Sequence, residues 1–254
     1  MKLFTGDNVE VMRREIPDAS IQLTVTSPPY DNLRKYNGFT WDFEAVAREL
    51  YRVTKPGGVV MWNVNDSTLD GSETCTSFHQ AIYFKESCGF NLHDTMIYAK
   101  LNPTPYHHNR YNPSWEYMFV FSKGKPSTFN PIQTQTQTQK KRTGKYRYPD
   151  GSLREANTPI AQEWKMLDNI FYYSVGTDRE CKEHPAKFPQ QLALDHILSW
   201  SNPGDTVLDP FVGSGTTGKM AVLNGREFIG IDISPEYVAL ATGRINAAQK
   251  EDTI

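Results

Sequence analysis

A glycine-rich turn near the C-terminus places the strongest constraint on how this chain can fold. Gly213, Gly215 and Gly218 follow the apolar run 206–208 and precede a helical pattern, and Asp232 lies nineteen residues after the first glycine. A Gly-x-Gly-x-x-Gly turn between a strand and a helix lets the backbone approach a nucleotide, and a later acidic residue binds ribose hydroxyls. The pattern predicts a Rossmann-like α/β fold and leaves a nicotinamide dehydrogenase as one interpretation.

The position of this turn in the chain argues against the dehydrogenase. Only 22 residues follow Asp232 in a chain of 254, whereas a dinucleotide-binding domain needs further strand–helix units after its glycine turn. The strands that complete the sheet must therefore come from the N-terminal half, so the order of the units is permuted. Asp209 also precedes the glycines, and a carboxylate there favours a cationic ligand over a pyrophosphate.

A second motif, Thr26-Ser27-Pro28-Pro29-Tyr30, follows the apolar run Ile21–Val25. The run is typical of a buried strand, and the two prolines stop the strand ladder because they lack a backbone N–H. Carbonyl oxygens on a stiff backbone, beside a hydroxyl and an aromatic ring, can hold a flat ring that bears an amine. A Pro-Pro stop after a core strand, without a chemical role, is the alternative interpretation.

Hydrophobic periodicity divides much of the chain into alternating helices and strands, as in a mostly parallel sheet with helices on both faces. After a short strand, a Gly-Asp turn and a helix within residues 1–20, we expect further helices at 43–53, 78–87, 190–200, 217–224 and 235–249. Strands are expected at 21–26, 59–64, 92–99, 117–121, 206–208 and 227–232, and Lys55–Gly58 is expected to form the turn before the strand at 59–64.

Charge and cysteine usage limit the classes of protein and of site. The net charge of −2 means that any nucleic-acid surface must be local. Cys75, Cys88 and Cys181 lie far apart without a Cys-x-x-Cys pair, which argues against a zinc site and a disulfide framework. The sequence contains no run of 18 apolar residues, and its start turns polar too early for a signal peptide. We therefore expect a cytoplasmic protein without a metal ion or a membrane contact.

The segment from 123 to 183 differs in character from the rest of the chain. A Gln-Thr repeat occupies 133–139, and residues 123–148 contain seven Lys or Arg and no Asp or Glu. Basic residues interleaved with tyrosines are suited to phosphate contact and base stacking, although a basic run is more often a solvated face. We predict an inserted domain at 123–183 between two halves of one domain, 1–122 and 184–254. The candidate DNA-binding residues are Lys140, Lys141, Arg142, Lys145 and Arg147.

These motifs together are similar to those of the β-class, permuted DNA amino-methyltransferases. The resemblance rests on Asp209-Pro-Phe-Val-Gly-Ser-Gly-Thr-Thr after an earlier Thr-Ser-Pro-Pro-Tyr, and it extends over nearly the whole chain. Further blocks in the family's order are Gly6-Asp7, Lys55–Gly58, His184–Pro189 and Gly230–Tyr237. The resemblance implies a catalytic half, then a target-recognition insertion, then a half that binds S-adenosyl-L-methionine (AdoMet).

The resemblance also implies roles for individual residues. Ser27 Oγ and the Pro28 carbonyl would accept hydrogen bonds from the target amine, within a catalytic motif that includes Pro29, and Tyr30 would stack on a base flipped out of the duplex. Asp232 would bind ribose, and Asp7 would lie near adenine unless it only caps a helix. The other cofactor-binding candidates are Phe188, Pro189, Asp209, Phe211, Gly213, Gly215 and Thr216, of which Phe188 has core packing as its alternative.

Serine before Pro-Pro-Tyr favours cytosine N4 as the methylated atom, because family members with aspartate there are mostly adenine-N6 enzymes. Cytosine C5 is disfavoured, since that chemistry uses a thiolate that usually follows a proline, and none of the three cysteines does. The alternatives are an adenine-N6 enzyme, a methyltransferase for RNA or a protein amide, and a catalytically silent DNA-binding relative. The expected partners are double-stranded DNA and a cognate restriction endonuclease, with the chain as monomer or homodimer.

Overall fold

The computed structural model describes residues 1–29, 41–103, 105, 109–136, 144–155, 163–175 and 189–251. It divides the chain into two compact units, one formed by Met1–Asn130 with Asn169–Ile254 and the other by Pro131–Asp168. Five of the predicted site residues lie outside the described residues: Tyr30, Lys140, Lys141, Arg142 and Phe188.

The helices and strands alternate through most of the larger unit. In chain order the elements are β1 (Lys2–Thr5), α1 (Asn8–Glu15), β2 (Ile21–Thr26), α2 (Phe43–Val53), β3 (Thr54–Val64), β4 (Thr68–Leu69), β5 (Ser72–Glu73), α3 (Thr76–Glu86), β6 (Asn91–Lys100), β7 (Trp115–Ser122), β8 (Gln133–Gln135), β9 (Lys145–Arg147), β10 (Leu153–Glu155), β11 (Trp164–Met166), β12 (Ile170–Tyr173), α4 (Gln190–Trp200), β13 (Thr206–Asp209), α5 (Thr216–Leu223), β14 (Glu227–Asp232) and α6 (Pro235–Glu251).

One eight-stranded sheet organises the larger unit, with the strand order β1-β14-β13-β2-β3-β7-β6-β12. The first five strands of that order are mutually parallel, β7 is antiparallel to both its neighbours, and β12 is parallel to β6. The prediction of a mostly parallel α/β sheet is confirmed.

Helices cover both faces of this sheet because the central strands are buried on both sides. All six residues of β2 are buried, and alternate residues such as Leu23 and Val25 belong to the core formed with α4, α5 and α6. The opposite core includes Trp62 of β3 and is formed with α1, α2 and α3, where Phe84 stacks on Phe121 with ring centroids 4.5 Å apart. The core that a strand residue joins therefore alternates along the strand. Ile21 is an exception: it precedes the register shift in β2 and belongs to the opposite core from Leu23.

The direction of chain progression reverses between β13 and β2. From β2 the chain moves through α2 to β3 on one side, whereas from β13 it moves through α5 to β14 on the other. The two connecting helices lie on opposite faces, α2 in one core and α5 in the other. In open α/β sheets ligands bind outside the carboxyl ends of the strands at such a reversal.

Two local features differ from the sequence expectation. Residues 55–58, predicted as a turn, lie inside β3, where the pairing with β2 shifts its register between Ile21 and Leu23. Gly57 has φ +78° there, and its N–H donates to the Lys123 carbonyl at 2.7 Å, so this glycine forms an irregularity within a continuous strand. The smaller unit is shorter than the predicted insertion, since β12 joins the main sheet. The assignment of 123–183 to target recognition stays a prediction.

The smaller unit contains two antiparallel strand pairs, β8 with β11 and β9 with β10. The exposed side chains of these strands include Tyr146, Trp164 and Met166. No helix of the described part of the chain is long and apolar enough to cross a membrane.

Gly218 of α5 gives a test of the packing between α5, α6 and β14. A Cβ added at Gly218 would lie 2.5 Å from the Phe228 ring and 2.6 Å from Ile245 Cδ1. We expect Gly218→Ala to lower the free energy of unfolding by about 1–3 kcal/mol, as for other overpacked cores. Gly243→Ala is the matched control, because this exposed position in α6 has open space around it; it should raise stability by about 0.5–1 kcal/mol. Urea denaturation of both variants checks the result, and equal effects would contradict the packing argument.

Candidate active site at the carboxyl edge of the sheet

Four adjacent parallel strands bring most of the predicted site residues to one edge of the sheet. In strand order, Asp7 follows the end of β1, Asp232 ends β14, Asp209 ends β13, and Ser27 follows the end of β2. The pairing of Thr5 with Asp232 and of Asp209 with Gly230 fixes this common edge. The glycine turn and the Ser-Pro-Pro segment, almost two hundred residues apart in sequence, are thereby neighbours in space.

Asp209 is the most buried of these carboxylates, with 2% of the residue exposed. Its Oδ1 accepts hydrogen bonds from Thr26 Oγ1 at 2.7 Å and from the Phe211 N–H at 3.1 Å. Burial raises the pKa of Asp209 to about 6, against the opposing effect of hydrogen bonds from Thr26, Thr217 and the Phe211 N–H. The group is therefore a mostly ionised carboxylate at neutral pH, in surroundings that favour a nearby cation.

Backbone N–H groups from two loops hold Asp232, the residue predicted to bind ribose. Its Oδ2 accepts from the Gly213 N–H at 2.9 Å and its Oδ1 accepts from the Ser234 N–H at 2.9 Å. Burial raises the pKa of Asp232, and these backbone donors oppose the rise. The Ile233 N–H also bonds to this carboxylate. Because an ionised carboxylate can accept about four hydrogen bonds, capacity remains for one further donor, such as a ribose hydroxyl.

The glycines of the turn serve the packing of helices as well as the approach of a ligand. Gly213 has φ +47° and Gly215 has φ +80°, a conformation that favours glycine. A Cβ at Gly215 would also lie 2.8 Å from Ala241 Cβ in α6, so this position needs a glycine even without a ligand. Arg244 of the same helix donates to the Ser214 carbonyl at 2.6 Å and helps to fix the turn.

Asp7 caps α1, as one of the two sequence interpretations expected. Its Oδ1 accepts from the Glu10 N–H at 3.0 Å. Its place beside the end of β14 is compatible with the predicted role near adenine, which stays a prediction. The next residue, Asn8, was not predicted: its buried amide donates to the Pro210 carbonyl at 3.3 Å and ties α1 to the end of β13. No signal in the sequence distinguishes it from an ordinary first helical residue.

The Ser-Pro-Pro segment leaves β2 with Ser27 and Pro29 half-buried and Pro28 buried. At the end of the adjacent strand β13, Phe211 belongs to an aromatic cluster, with its ring centroid 4.9 Å from that of Trp41. Phe211 is thus partly a core residue, a role that the sequence did not indicate.

Two further cofactor-binding candidates occupy helix starts. Pro189 is the buried N-cap residue of α4, and Thr216 is the buried first residue of α5. Their placement is compatible with the predicted roles, which stay predictions.

A buried polar group on the neighbouring strands also lies at this edge and was missed by sequence reasoning. Asn63 near the end of β3 is fully buried and donates from Nδ2 to Glu116 Oε2 at 2.7 Å. Glu116 Oε1 forms an ion pair with Lys100 Nζ at 2.7 Å, and both side chains are largely buried. The three residues lie far apart in sequence, so only the register of β3, β7 and β6 brings them together.

The two predicted DNA-binding residues within the described chain, Lys145 and Arg147, lie exposed on β9 of the smaller unit. Within the described residues, no group of three His, Cys, Asp or Glu side chains has the geometry to hold a metal ion.

Asp209→Asn tests the burial of this charge. A carboxyl group whose folded pKa lies above its unfolded value of about 3.9 destabilises the fold increasingly as pH rises from about 4 to 6. We expect the variant, without a bound ligand, to exceed the wild type in free energy of unfolding by up to about 3 kcal/mol at pH 7.5, and by less at pH 5. Denaturation at the two pH values measures this difference. Asp70→Asn, on the exposed β4–β5 turn, should leave the pH profile unchanged; a constant gain for Asp209→Asn at both pH values would contradict the argument.

Comparison with known proteins identifies relatives along nearly the whole chain. The family model N6_N4_Mtase, described as DNA methylase, matches residues 21–243. The orphan methyltransferase M.BamHII of Bacillus amyloliquefaciens is 52% identical over 244 residues, which cover 92% of each chain. The type II methyltransferase M.SmaI of Serratia marcescens is 27% identical, over 96% of this chain and 90% of its own.

Solved structures show the same fold. The PvuII DNA methyltransferase (cytosine-N4-specific) superposes with a TM-score of 0.72 at 21% identity, covering 98% of this chain and 91% of its own. The protein TTHA0409 of Thermus thermophilus, solved in complex with S-adenosyl-L-methionine, superposes with a TM-score of 0.63 at 25% identity, covering 97% and 95%.

Proposed function

The chain belongs to the N6_N4_Mtase family of DNA methylases, and we propose that it transfers a methyl group from AdoMet to N4 of a cytosine in double-stranded DNA. In this proposal it is a β-class enzyme, in which the Ser-Pro-Pro-Tyr half precedes target recognition and the AdoMet-binding half comes last. The single observation that supports the proposal most is the hydrogen bond of 2.7 Å between Thr26 Oγ1 and Asp209 Oδ1. It joins the segment that would hold the amine to the turn that would hold the cofactor.

The residues at the carboxyl edge fit AdoMet. The cofactor supplies an electrophilic methyl group on a sulfonium, and its positive charges suit an edge at which Asp7, Asp209 and Asp232 lie at the ends of neighbouring strands. Asp232 has acceptor capacity for ribose, and Asp7 lies at the next strand end for adenine. The residues proposed to hold the methionine part are Phe211, Gly213, Gly215 and Thr216 beside Asp209. Phe188 and Pro189 are proposed to close the cofactor pocket.

Ser27 and Pro28 orient the target amine in this proposal. An exocyclic amine is a poor nucleophile because its lone pair is delocalised into the ring. When the Ser27 hydroxyl and the Pro28 carbonyl accept hydrogen bonds from its two N–H groups, the nitrogen becomes pyramidal and its lone pair turns toward the methyl group. The N–C bond would form as the bond between the methyl carbon and the sulfonium sulfur breaks, which leaves a neutral thioether. The methylated amine would then lose one proton to solvent. Pro29 stiffens the segment and Tyr30 stacks on the flipped base, so catalysis rests on positioning and electrostatics.

The choice of cytosine N4 rests on Ser27, since a neutral hydroxyl is a weaker acceptor than the aspartate typical of adenine-N6 enzymes. The structural neighbour named cytosine-N4-specific supports the fold rather than the base. The alternative is an adenine-N6 enzyme, with RNA or a protein amide as more distant substrates. Chemistry at cytosine C5 needs a thiolate, and burial raises the pKa of the Cys88 thiol to about 11. A cognate endonuclease, a monomeric or homodimeric state and a cytoplasmic location stay predictions.

Analysis of methylated nucleosides tests the proposed function. The protein is incubated with AdoMet and unmethylated genomic DNA, and the digested DNA is examined by mass spectrometry. N4-methylcytosine is the expected product. N6-methyladenine would keep the enzyme class and overturn the assignment from Ser27, and DNA without a methylated nucleoside would overturn the function itself.

Ser27→Ala tests the role of the hydroxyl. We expect turnover to fall by a factor of about 100–1,000, the usual cost of one lost transition-state hydrogen bond, with AdoMet binding unchanged because Ser27 would contact the base. Single-turnover methylation and calorimetric titration with AdoMet measure the two quantities. The matched serine control is Ser20→Ala, in the turn before β2, where the hydroxyl donates to the Pro17 carbonyl. Equal turnover in Ser27→Ala and wild type would reject the assigned role.

The proposed contact of Lys140, Lys141 and Arg142 with DNA phosphates is tested through the salt dependence of DNA binding. Each phosphate contact contributes a slope of about −0.9 in a plot of log K against log[salt]. Replacing Lys140, Lys141 and Arg142 by Gln should therefore make the slope less negative by up to about 2.7. An unchanged slope in fluorescence-anisotropy titrations would show that these side chains form only a solvated face.

A further inference from the structure

The β9–β10 hairpin of the smaller unit has a well-defined tip. Its turn is closed by hydrogen bonds from the Tyr148 N–H to the Ser152 carbonyl at 2.9 Å and from the Gly151 N–H to the Tyr148 carbonyl at 2.9 Å. Asp150 Oδ1 accepts from the Ser152 N–H at 2.9 Å and from Ser152 Oγ at 2.6 Å. Hydrogen bonds from the Ser152 hydroxyl and N–H lower the pKa of Asp150, so it is an anion at neutral pH.

Arg154 is fixed against this tip on two sides. Its Cζ lies 4.5 Å from the centroid of the Tyr148 ring, and its Nη2 donates to Asp150 Oδ2 at 3.3 Å. Within the described chain Asp150 is the single acceptor of its guanidinium, which has five N–H donors. The side chain is nevertheless 61% exposed. A planar donor group is thus held in one orientation with most of its donors available to a ligand.

The stability of the fold does not account for this arrangement. Exposed ion pairs contribute about 0–1 kcal/mol, and the side chains lose rotamer freedom to form one. Binding can account for it, because a guanidinium that is already oriented loses less entropy when it meets a planar ligand.

We propose that Arg154 is a specificity-determining residue that reads a guanine in the major groove of the DNA substrate, an inference that rests on the proposed function. Arginine forms two parallel hydrogen bonds to O6 and N7 of guanine, the commonest specific contact between proteins and DNA. A two-stranded ribbon such as β9–β10 also fits the width of the major groove.

The partner of Arg154 favours a base over a phosphate. Asp150 is anionic and 56% exposed, so a phosphate that approached Arg154 would be repelled by this carboxylate, whereas the edge of a base is neutral. The register places Tyr146 opposite Arg154, and Lys145 and Arg147 on either side of Tyr146. Since side chains alternate across a strand, Lys145 and Arg147 lie on the other face of the ribbon, away from the ion pair.

The experiment compares methylation rates on duplexes in which each position of the recognition sequence is varied in turn. Arg154→Lys keeps the charge and removes the planar fork, and Asp150→Asn keeps the turn and removes the ion pair. We expect the wild type to prefer a G·C pair at one position of the recognition sequence. In Arg154→Lys this preference should be about ten- to a hundredfold weaker, and the preferences at the other positions should be unchanged. Asp150→Asn should relax the same position to a smaller degree. Arg147→Met, the control on the other face, should reduce binding to all sequences alike and make the salt slope less negative by about 0.9.

The outcomes separate this inference from the proposed function. Unchanged position preferences in Arg154→Lys would overturn the contact with guanine and leave the methyltransferase function standing. A third variant, Arg154→Met, would have the same consequence if it lowered the rate equally on all duplexes and made the salt slope less negative. A recognition sequence whose only G·C pair is that of the methylated cytosine would do the same. Absence of DNA methylation by wild type would overturn both. Circular dichroism and thermal unfolding of each variant confirm that the hairpin change has not unfolded the chain.

Discussion

The hydrogen bond between Thr26 and Asp209 is the interaction on which the candidate site depends. It connects the two strands between which the direction of the chain reverses, and therefore the two halves of the domain. A buried carboxylate is costly unless it is hydrogen-bonded, and here donors from β2, from the loop after β13 and from α5 all converge on one side chain. The raised pKa shows that these donors do not fully offset the burial. A cation bound nearby would offset more of it, so the same residue that weakens the empty fold would strengthen the complex.

The main helices and strands of the larger unit could be predicted because they follow from hydrophobic periodicity in the sequence. The apolar run in Ile21–Thr26 and the helical period in Phe43–Val53 are local patterns, and both elements have the predicted bounds. The glycine turn indicated the place of β13, α5 and β14 for the same reason. The prediction of a turn at Gly57 was wrong because glycines with positive φ occur both in turns and in irregular strands. Only pairing with the neighbouring strand decides between the two.

The site could be predicted only in part, because its remaining contacts join distant parts of the chain. Asn8 bonds to Pro210, Trp41 packs on Phe211, and Asn63 meets Glu116 through strand register alone. Among these residues, only Phe211 was predicted from the sequence to belong to the site. It was predicted to bind the cofactor, and its packing in the core was not predicted. Gly215 shows the same limit, since its place in a motif indicated ligand approach, whereas its contact with Ala241 shows a packing requirement as well. A motif residue can therefore serve the fold and the ligand together.

The arrangement of the site does not depend on the order of the strands along the chain. Residues at the carboxyl ends of β1, β14, β13 and β2 converge because the four strands are adjacent and parallel, and this geometry does not depend on which strand comes first. The antiparallel β7 and the edge strand β12 lie beyond that group, and the smaller unit is inserted in the chain between them. An insertion there can vary in charge and length without disturbing the hydrogen bonds of Asp209. In the proposed function, chemistry and recognition of the substrate would then change independently, one through the buried edge of the sheet and the other through exposed side chains on a short ribbon.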